Sequence, residues 1–220
     1  ATLARQVADQ YSTAAKPRWV LGSLGPGTKL PTLGHTSYEK LKLAYEEASK
    51  GLIDGGSDAL LIETTQDLLQ AKAAVNGARD AIDKSGKDIV LIAQVTVETT
   101  GTMLMGSEIG AALNALEPLG IDLIGLNCAT GPAEMSEHLR VLSKGATVGI
   151  SVMPNAGLPV LGENGAHYPL DGIELAKSLK QFVIDYKVNL VGGCCGTTPA
   201  HMLEVVKQLG SVSVATREVV

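Results

Sequence analysis

The sequence predicts an α/β fold, and within that class a (β/α)8 TIM barrel that lacks its first two βα units. Short apolar runs alternate with longer segments of helical period, as in a parallel sheet joined by crossover helices. Most of the runs are apolar throughout, which is typical of strands covered on both faces. Residues able to carry chemistry follow these runs, as they do at the mouth of a barrel. Six strands are found where a barrel has eight, and the chain opens in a helix.

The elements follow one another without a linker or a low-complexity tract. We therefore interpret residues 1–220 as a single domain, with 211–220 as a possible linker tail. Thr198 followed by Pro199 is the pattern of a helix N-cap and first turn, and Gly86 and Gly120 stand where helices should end. The predicted strands are Trp19–Ser23, Ala59–Glu63, Ile89–Val97, Ile121–Asn127, Ala146–Met153 and Asn189–Cys194. The predicted helices are Leu3–Tyr11, Tyr38–Gly51, Asp67–Lys84, Ser107–Pro118, Ala133–Leu142, Leu170–Tyr186 and Pro199–Leu209.

The alternative to a barrel is an open doubly wound sheet. Such sheets often bind dinucleotides through a G-x-G-x-x-G turn between a strand and a helix. The glycine-rich stretch SLGPGT leads instead into a loop, KLPTLGH. A barrel also lets groups from many strands meet at one mouth, so we favour it.

Composition narrows the class of function. The chain has 220 residues, 45% of them hydrophobic, with a formal net charge of -5 and no basic run. Nucleic-acid binding is therefore not expected, because it relies on clustered Lys and Arg. No apolar run approaches the ~20 residues that a membrane span requires. We expect a soluble, cytoplasmic protein.

The three cysteines are the strongest chemical signal. Cys128 ends a predicted strand in NCATGP, and Cys194 and Cys195 end another in GGCCGTTP. Neighbouring residues of a regular strand point to opposite faces, so both members of the pair reach one ion only if the strand breaks at the flanking glycines. Three thiolates without a fourth cysteine suit a catalytic zinc site with one open position.

The plainer interpretation is that each cysteine is a small buried side chain. The pairing of two cysteines after glycines, with a third at another strand end, favours the metal. The histidines have weaker claims to the metal, because His138 and His201 fall in predicted helices and His35 and His167 in loops.

Five segments resemble the homocysteine S-methyltransferase family: GSLGPGTKLPTLGH, LLIETTQDLLQAKAAVNGA, GLNCATGP, VMPNAGLP and VGGCCGTTP. The stretches TKLPTLGH and MPNAGLPVLGENGAHYPLD resemble in particular the branch found in cobalamin-dependent methionine synthases. The resemblance covers Leu21 to Leu209. The family's first barrel strand, with its acidic glycine-rich turn that helps hold homocysteine, has no counterpart here.

The resemblance implies a mechanism and its cofactors. Cys128, Cys194 and Cys195 would hold zinc, and the homocysteine sulfur would take the fourth position. This sulfur would attack the methyl group of methylcobalamin, carried on another domain, and give methionine. A further domain would remethylate the corrinoid from methyltetrahydrofolate. The partners expected are therefore homocysteine and the cobalamin-binding and folate-binding domains of the same or a partner chain.

Three further residues are candidates for substrate binding. Glu63 ends a strand and is placed to accept the substrate ammonium, or else to cap the next helix. Asn127 is expected to bind substrate or to orient Cys128. Asn155 is expected to offer its amide oxygen to substrate or zinc, or to stabilise a turn. Glu98, at another strand end, is a weaker candidate.

Rival functions remain open at this point. The same zinc could serve a methyltransferase that uses betaine or S-methylmethionine. A non-catalytic zinc-binding module would need a fourth ligand, and the sequence has no fourth cysteine and no well-placed histidine. A phosphate-binding barrel lyase would be expected to carry a lysine at a strand end, and no predicted strand ends in Lys.

Overall fold

The computed structural model describes residues 1–162, 165–213 and 216, in which helices and strands alternate. Two short 3-10 helices, Pro31–Leu33 and Glu117–Leu119, accompany the main elements. The main elements are α1 (Thr2–Tyr11), β1 (Leu21–Leu24), α2 (Tyr38–Asp54), β2 (Ala59–Thr65), α3 (Leu68–Ser85), β3 (Val90–Val95), α4 (Ile109–Leu116), β4 (Leu123–Asn127), α5 (Pro132–Gly145), β5 (Gly149–Met153), β6 (Val160–Gly162), β7 (Gly165–His167), α6 (Gly172–Tyr186), β8 (Leu190–Val191) and α7 (Pro199–Leu209).

Six strands form one parallel sheet in the order β1–β2–β3–β4–β5–β8. The α/β class, the parallel sheet and its six strands are as predicted. Within the described residues, β1 and β8 are the two edge strands of this sheet and do not pair with each other. The described residues therefore form an open six-stranded sheet and not a closed barrel of eight strands. An antiparallel hairpin of β6 and β7 was not predicted.

The two faces of the sheet bury different sets of side chains. The main core lies between the sheet and the helices and includes the fully buried Leu60, Leu91 and Ile150. A smaller cluster on the opposite face is built from Ala59, Leu61 and Ile92. The strands therefore carry apolar residues on both faces, as their unbroken apolar runs predicted.

Element ends follow local chemistry. Gly86 closes α3 in a left-handed conformation with φ 64°, and Gly120 does the same after the second 3-10 helix with φ 79°. Asp67 caps α3 by accepting from the backbone N–H of Leu69 at 2.8 Å. The same carboxylate accepts from the backbone N–H and the hydroxyl of Thr32, so it also holds the loop of residues 25–35.

Several predicted elements extend a few residues beyond the observed ones, and for two of them the local sequence gives the reason. The helix predicted from Ser107 begins at Ile109 and gives way to 3-10 geometry at Glu117, where Pro118 lacks the backbone donor of a regular helix. The strand predicted to reach Cys194 leaves the sheet after Val191, because a run of glycines follows.

No helix in the described part of the chain is long and apolar enough to cross a membrane. The predicted linker tail, 211–220, lies mostly outside the described residues. Residues 211–213 and 216 are described, and they belong to neither a helix nor a strand.

Candidate metal and substrate site

Cys128 lies in an unusual turn at the carboxyl end of β4. Cys128 and Ala129 both have left-handed backbones, with φ 61° and 58°. The turn is held by two hydrogen bonds, from Cys128 N–H to the Met153 carbonyl at 3.2 Å and from Thr130 N–H to the Cys128 carbonyl at 2.7 Å. Non-glycine residues adopt this conformation rarely and at a cost of about 1–3 kcal/mol, and such strain is concentrated at functional sites.

Cys194 and Cys195 lie in a turn that begins after β8 ends. The Cys194 N–H donates to the Pro154 carbonyl at 2.8 Å, and the Cys195 N–H donates to the Asn155 side-chain oxygen at 3.0 Å. The Thr197 hydroxyl donates to the Cys194 carbonyl at 2.7 Å. The turn is therefore fastened to the segment that follows β5, and it releases the two cysteines from the alternation of a strand.

Gly196 completes this turn and has no room for a side chain. Its φ is +78°, and a Cβ placed on it would lie 2.3 Å from Cγ of the Tyr168 ring. The ring packs directly on the glycine, next to Cys195. A glycine is thus required here both for the left-handed backbone and for the close approach of Tyr168.

The three thiols converge. The Sγ atoms of Cys128 and Cys195 are 3.7 Å apart, those of Cys194 and Cys195 are 4.0 Å apart, and all three lie within 4.8 Å of one another. Bonds of about 2.3 Å at tetrahedral angles place sulfur ligands of zinc about 3.8 Å apart. The donor set and its spacing therefore fit one zinc ion. Cys195 is exposed and the other two are partly buried, which leaves the cluster open to solvent.

The thiols perturb one another in the metal-free protein. A hydrogen bond from the nearby Cys194 thiol lowers the pKa of Cys128 to about 5, against the opposing effect of burial. The same pairing, with burial, raises the pKa of Cys194 above its ordinary value. The site thus favours a thiolate at Cys128 over one at Cys194, and a metal that binds all three as thiolates must displace the remaining protons.

Asn127 is fully buried and lies between β2 and the cysteine turn. Its side-chain oxygen accepts from the Thr64 N–H at 2.7 Å. Its side-chain nitrogen donates to the Thr64 hydroxyl at 2.7 Å and is 3.7 Å from the Cys194 sulfur. Two roles were predicted for Asn127, orienting a cysteine and binding substrate, and these contacts favour the first, with Cys194 in place of Cys128.

Glu63 and Asn155 lie on different elements, and of the two, in the described part of the chain, only Asn155 contacts the cysteine turns directly. Glu63 is partly buried at the carboxyl end of β2, where the Ser23 hydroxyl donates to its carboxylate. Asn155 is 3% exposed, and its backbone N–H donates to the Thr130 carbonyl at 3.1 Å while its side chain accepts from Cys195. Asn155 thus joins the two cysteine turns, which agrees with the turn-stabilising alternative predicted for it.

Similarity to known proteins identifies the family of this chain. The sequence profile described as homocysteine S-methyltransferase matches residues 1–209. The chain belongs to this methyltransferase family. Methionine synthase of Mycobacterium tuberculosis is 61% identical over 217 residues, which are 99% of this chain and 18% of that protein. Methionine synthase of Mycobacterium leprae is 64% identical over 203 residues, 92% of this chain and 17% of that protein. The chain therefore spans less than a fifth of these relatives.

A solved structure of a homocysteine methyltransferase shares the fold. The homocysteine methyltransferase MmuM from Escherichia coli, in its apo form, superposes with a TM-score of 0.71 at 21% identity and covers 93% of this chain and 68% of its own. The metallated form gives a TM-score of 0.67 at 20% identity, with coverages of 93% and 66%. At this identity the likeness shows the fold.

Three residues of the site in the present chain were not predicted from its sequence: Ser23, Thr64 and Tyr168. Thr64, with φ 59°, donates its backbone N–H to the Asn127 side-chain oxygen and accepts from the Asn127 side-chain nitrogen at its hydroxyl. Tyr168 packs on Gly196. Ser23 donates to Glu63. No sequence signal marks Thr64 or Tyr168. Ser23, however, precedes the turn sequence LGPG at the end of a predicted strand, which is where site residues were expected.

Proposed function

We propose that this domain transfers a methyl group to the thiol of homocysteine and so forms methionine, with zinc as its metal cofactor. The observation that carries the proposal is the convergence of three thiols within 4.8 Å in a member of the homocysteine S-methyltransferase family. The methionine synthase relatives, at 61% and 64% identity, support methionine as the product.

Cys128, Cys194 and Cys195 would hold the zinc as cysteinates. A bound zinc ion supplies one chemical service here: it lets the homocysteine sulfur stay ionised at neutral pH, where a free thiol with a pKa near ~8.5 is mostly protonated. Three cysteinates give the zinc centre a net charge of -1, so the substrate sulfur should keep more of its nucleophilic charge than on a cationic centre.

The side chains around the thiols would hold the rest of homocysteine. Glu63, on the neighbouring strand end, is proposed to accept the substrate ammonium, with its carboxylate oriented by Ser23. Asn155 keeps the two cysteine turns together and is proposed to face the substrate with the remaining acceptor capacity of its oxygen. Asn127, expected from the sequence to bind substrate or to orient a cysteine, is proposed to support the substrate site from behind the thiols by holding Cys194 and Thr64 in place.

The methyl transfer is a displacement at carbon. The homocysteine sulfur forms the new S–CH3 bond, the bond between the methyl group and its donor breaks, and that electron pair leaves with the donor. The thiol proton passes to solvent. We propose methylcobalamin as the donor, supplied by another domain, because the TKLPTLGH and MPNAGLPVLGENGAHYPLD stretches resemble the corrinoid-dependent branch. Cobalamin-binding and folate-binding domains are the partners that this donor requires.

We further propose that two βα units upstream complete an eight-stranded barrel between β8 and β1. The sheet face opposite the main core supports this, because Ala59 and Ile92 of its small apolar cluster line an open hollow of about 680 Å³. Helix α1 supports it too, since Leu3 and Tyr11 on one of its faces are 74% and 69% exposed. Free thiols also suit a reducing compartment, so we propose a cytoplasmic location.

A donor-exchange assay tests the function. The intact protein is incubated with homocysteine and either methylcobalamin, S-methylmethionine or betaine, and methionine is measured by mass spectrometry. We expect methionine from methylcobalamin alone, and none from the Cys195→Ser variant. Methionine from S-methylmethionine or betaine would assign the site to the rival donor class. No methionine from any donor, with zinc bound, would favour a non-catalytic zinc site.

A further inference from the structure

The amide of Asn127 is fully engaged inside the protein. An asparagine side chain offers two N–H donors and one carbonyl acceptor. The oxygen takes the Thr64 backbone N–H, and the nitrogen serves the Thr64 hydroxyl and the Cys194 sulfur. The side chain has no exposed surface, and the Thr96 hydroxyl donates to the Asn127 backbone carbonyl at 3.0 Å. Both ends of this residue are therefore fixed before any substrate arrives.

Thr64 explains why an amide is needed at this place. The pairing of β2 with β3 is interrupted between Ile62 and Thr65, and Thr64 takes a left-handed backbone with φ 59°. This irregularity leaves the Thr64 N–H without a partner in the sheet, and Asn127 supplies one. A buried N–H with no acceptor would cost about 1–3 kcal/mol, so the amide stabilises the irregular strand end that carries Glu63.

The side-chain nitrogen of Asn127 also contacts one of the thiols proposed to bind zinc, that of Cys194. A metal-bound cysteine is a thiolate, and hydrogen bonds to an ionised acceptor are roughly twice as strong as those to a neutral one. Side chains that orient metal ligands in this manner typically contribute a factor of 10–100 to metal affinity. The side-chain N–H of Asn127 points at the Cys194 sulfur, with 3.7 Å between the nitrogen and the sulfur.

We propose that Asn127 is a positioning residue that holds the Cys194 sulfur on one side and the Glu63–Thr64 strand end on the other. This inference rests on the proposed zinc site. A single buried amide thus connects the two parts of that site, the three thiols and the strand end that carries Glu63. Asn127 accordingly acts through Cys194 and Glu63 and does not itself touch substrate.

Zinc release from the intact protein tests the proposal. The rate of zinc transfer to a coloured chelator is measured for wild type, Asn127→Ala and Thr64→Val, with Cys195→Ser as the metal-free baseline. We expect Asn127→Ala to transfer zinc to the chelator about 10–100-fold faster than wild type, because a partner that orients a ligand contributes about that factor to metal affinity. The Thr64→Val variant removes the hydroxyl contact but leaves the donor to Cys194, so its rate of zinc transfer should stay close to that of wild type.

A spectroscopic measurement on the wild-type protein guards against a variant that fails to fold. Zinc is replaced by an NMR-active cadmium isotope, and coupling is sought between the metal and the side-chain amide protons of Asn127. The proposal predicts such a coupling through the N–H···S hydrogen bond.

A metal-loaded protein without the coupling, or an Asn127→Ala variant that holds zinc as tightly as wild type, would overturn the proposal. Equal losses in Asn127→Ala and Thr64→Val would also overturn it, since they would indicate a general loosening. A wild-type protein that binds no metal would sink the proposed function itself, and the inference with it.

Discussion

Replacing Gly196 with alanine should damage the cysteine turn more than the backbone conformation alone requires. The new methyl group would lie 2.3 Å from Cγ of Tyr168 and 2.4 Å from its Cβ, far inside normal contact. A non-glycine residue in the left-handed conformation costs about 1–2 kcal/mol, and overpacking costs about 1–3 kcal/mol more. The expected loss in the free energy of unfolding is therefore about 2–5 kcal/mol.

Gly86 provides a matched control. It has a similar conformation, with φ +64°, but a Cβ built on it meets nothing within 4 Å. Gly86→Ala should therefore cost only the conformational part, about 1–2 kcal/mol. The contrast between the two variants isolates the packing of Tyr168 on the turn.

Urea unfolding followed by circular dichroism measures both variants, and a double-mutant cycle with Tyr168→Gly measures their coupling. Glycine is needed at position 168, because the Cβ of an alanine there would still clash. We expect a coupling energy of about 1–3 kcal/mol, and weaker zinc binding in Gly196→Ala because Cys195 is its neighbour. If Gly196→Ala costs no more than Gly86→Ala, the packing argument for this turn is wrong.

Three other predictions follow from the site and its supports. Asp67→Asn should lower the free energy of unfolding by about 1–2 kcal/mol, because a neutral amide is a weaker acceptor for the hydrogen bonds from Thr32 and Leu69. It should also speed protease cleavage within residues 25–35, which Asp67 holds through Thr32. An unchanged rate of cleavage would contradict this. Without metal, the neighbouring Cys194 thiol lowers the pKa of Cys128 in the folded protein from an ordinary 9.0 to about 5, so between these pH values the unfolded chain binds a proton that the folded chain lacks. The free energy of unfolding of wild type relative to Cys128→Ser should therefore increase as pH rises from about 5 to about 9, and this increment should be lost as pH falls through about 5. A difference that does not change with pH would refute it. Glu63→Gln should raise KM for homocysteine about 10-fold or more with little change in kcat, because a charge-assisted hydrogen bond to the substrate ammonium is lost. Glu98→Gln is the control and should leave KM unchanged. Equal effects of the two substitutions on KM would exclude the proposed role of Glu63.

Hydrophobic patterning was sufficient to predict the sheet. The apolar runs gave six parallel strands, and Cys128, Cys194 and Cys195 were placed together because the carboxyl ends of parallel strands converge on one edge. Glycines predicted the break that frees the cysteine pair. These features depend on local sequence and on the general geometry of parallel sheets, so one sequence suffices to predict them.

Features that depend on tertiary contacts could not be predicted in this way. Thr64 and Cys128 have left-handed backbones although neither residue type favours them, because hydrogen bonds from other elements hold them there. The partners of Asn127 lie 63 and 67 residues away in sequence, and no pattern marks such pairs. The β6–β7 hairpin is composed of three-residue strands that are exposed throughout, so it lacks the alternation by which strands are recognised.

X-ray absorption at the zinc edge, with and without homocysteine, tests the central claim most directly. It is made on the intact protein alongside zinc analysis of wild type and of the Cys128→Ser and Cys195→Ser variants. We expect about one zinc per chain with three sulfur neighbours, a fourth sulfur neighbour when homocysteine is added, and loss of the zinc in both variants. Zinc that ignores homocysteine would show that the cluster is not a substrate-activating site. A wild-type protein without zinc would contradict the account altogether.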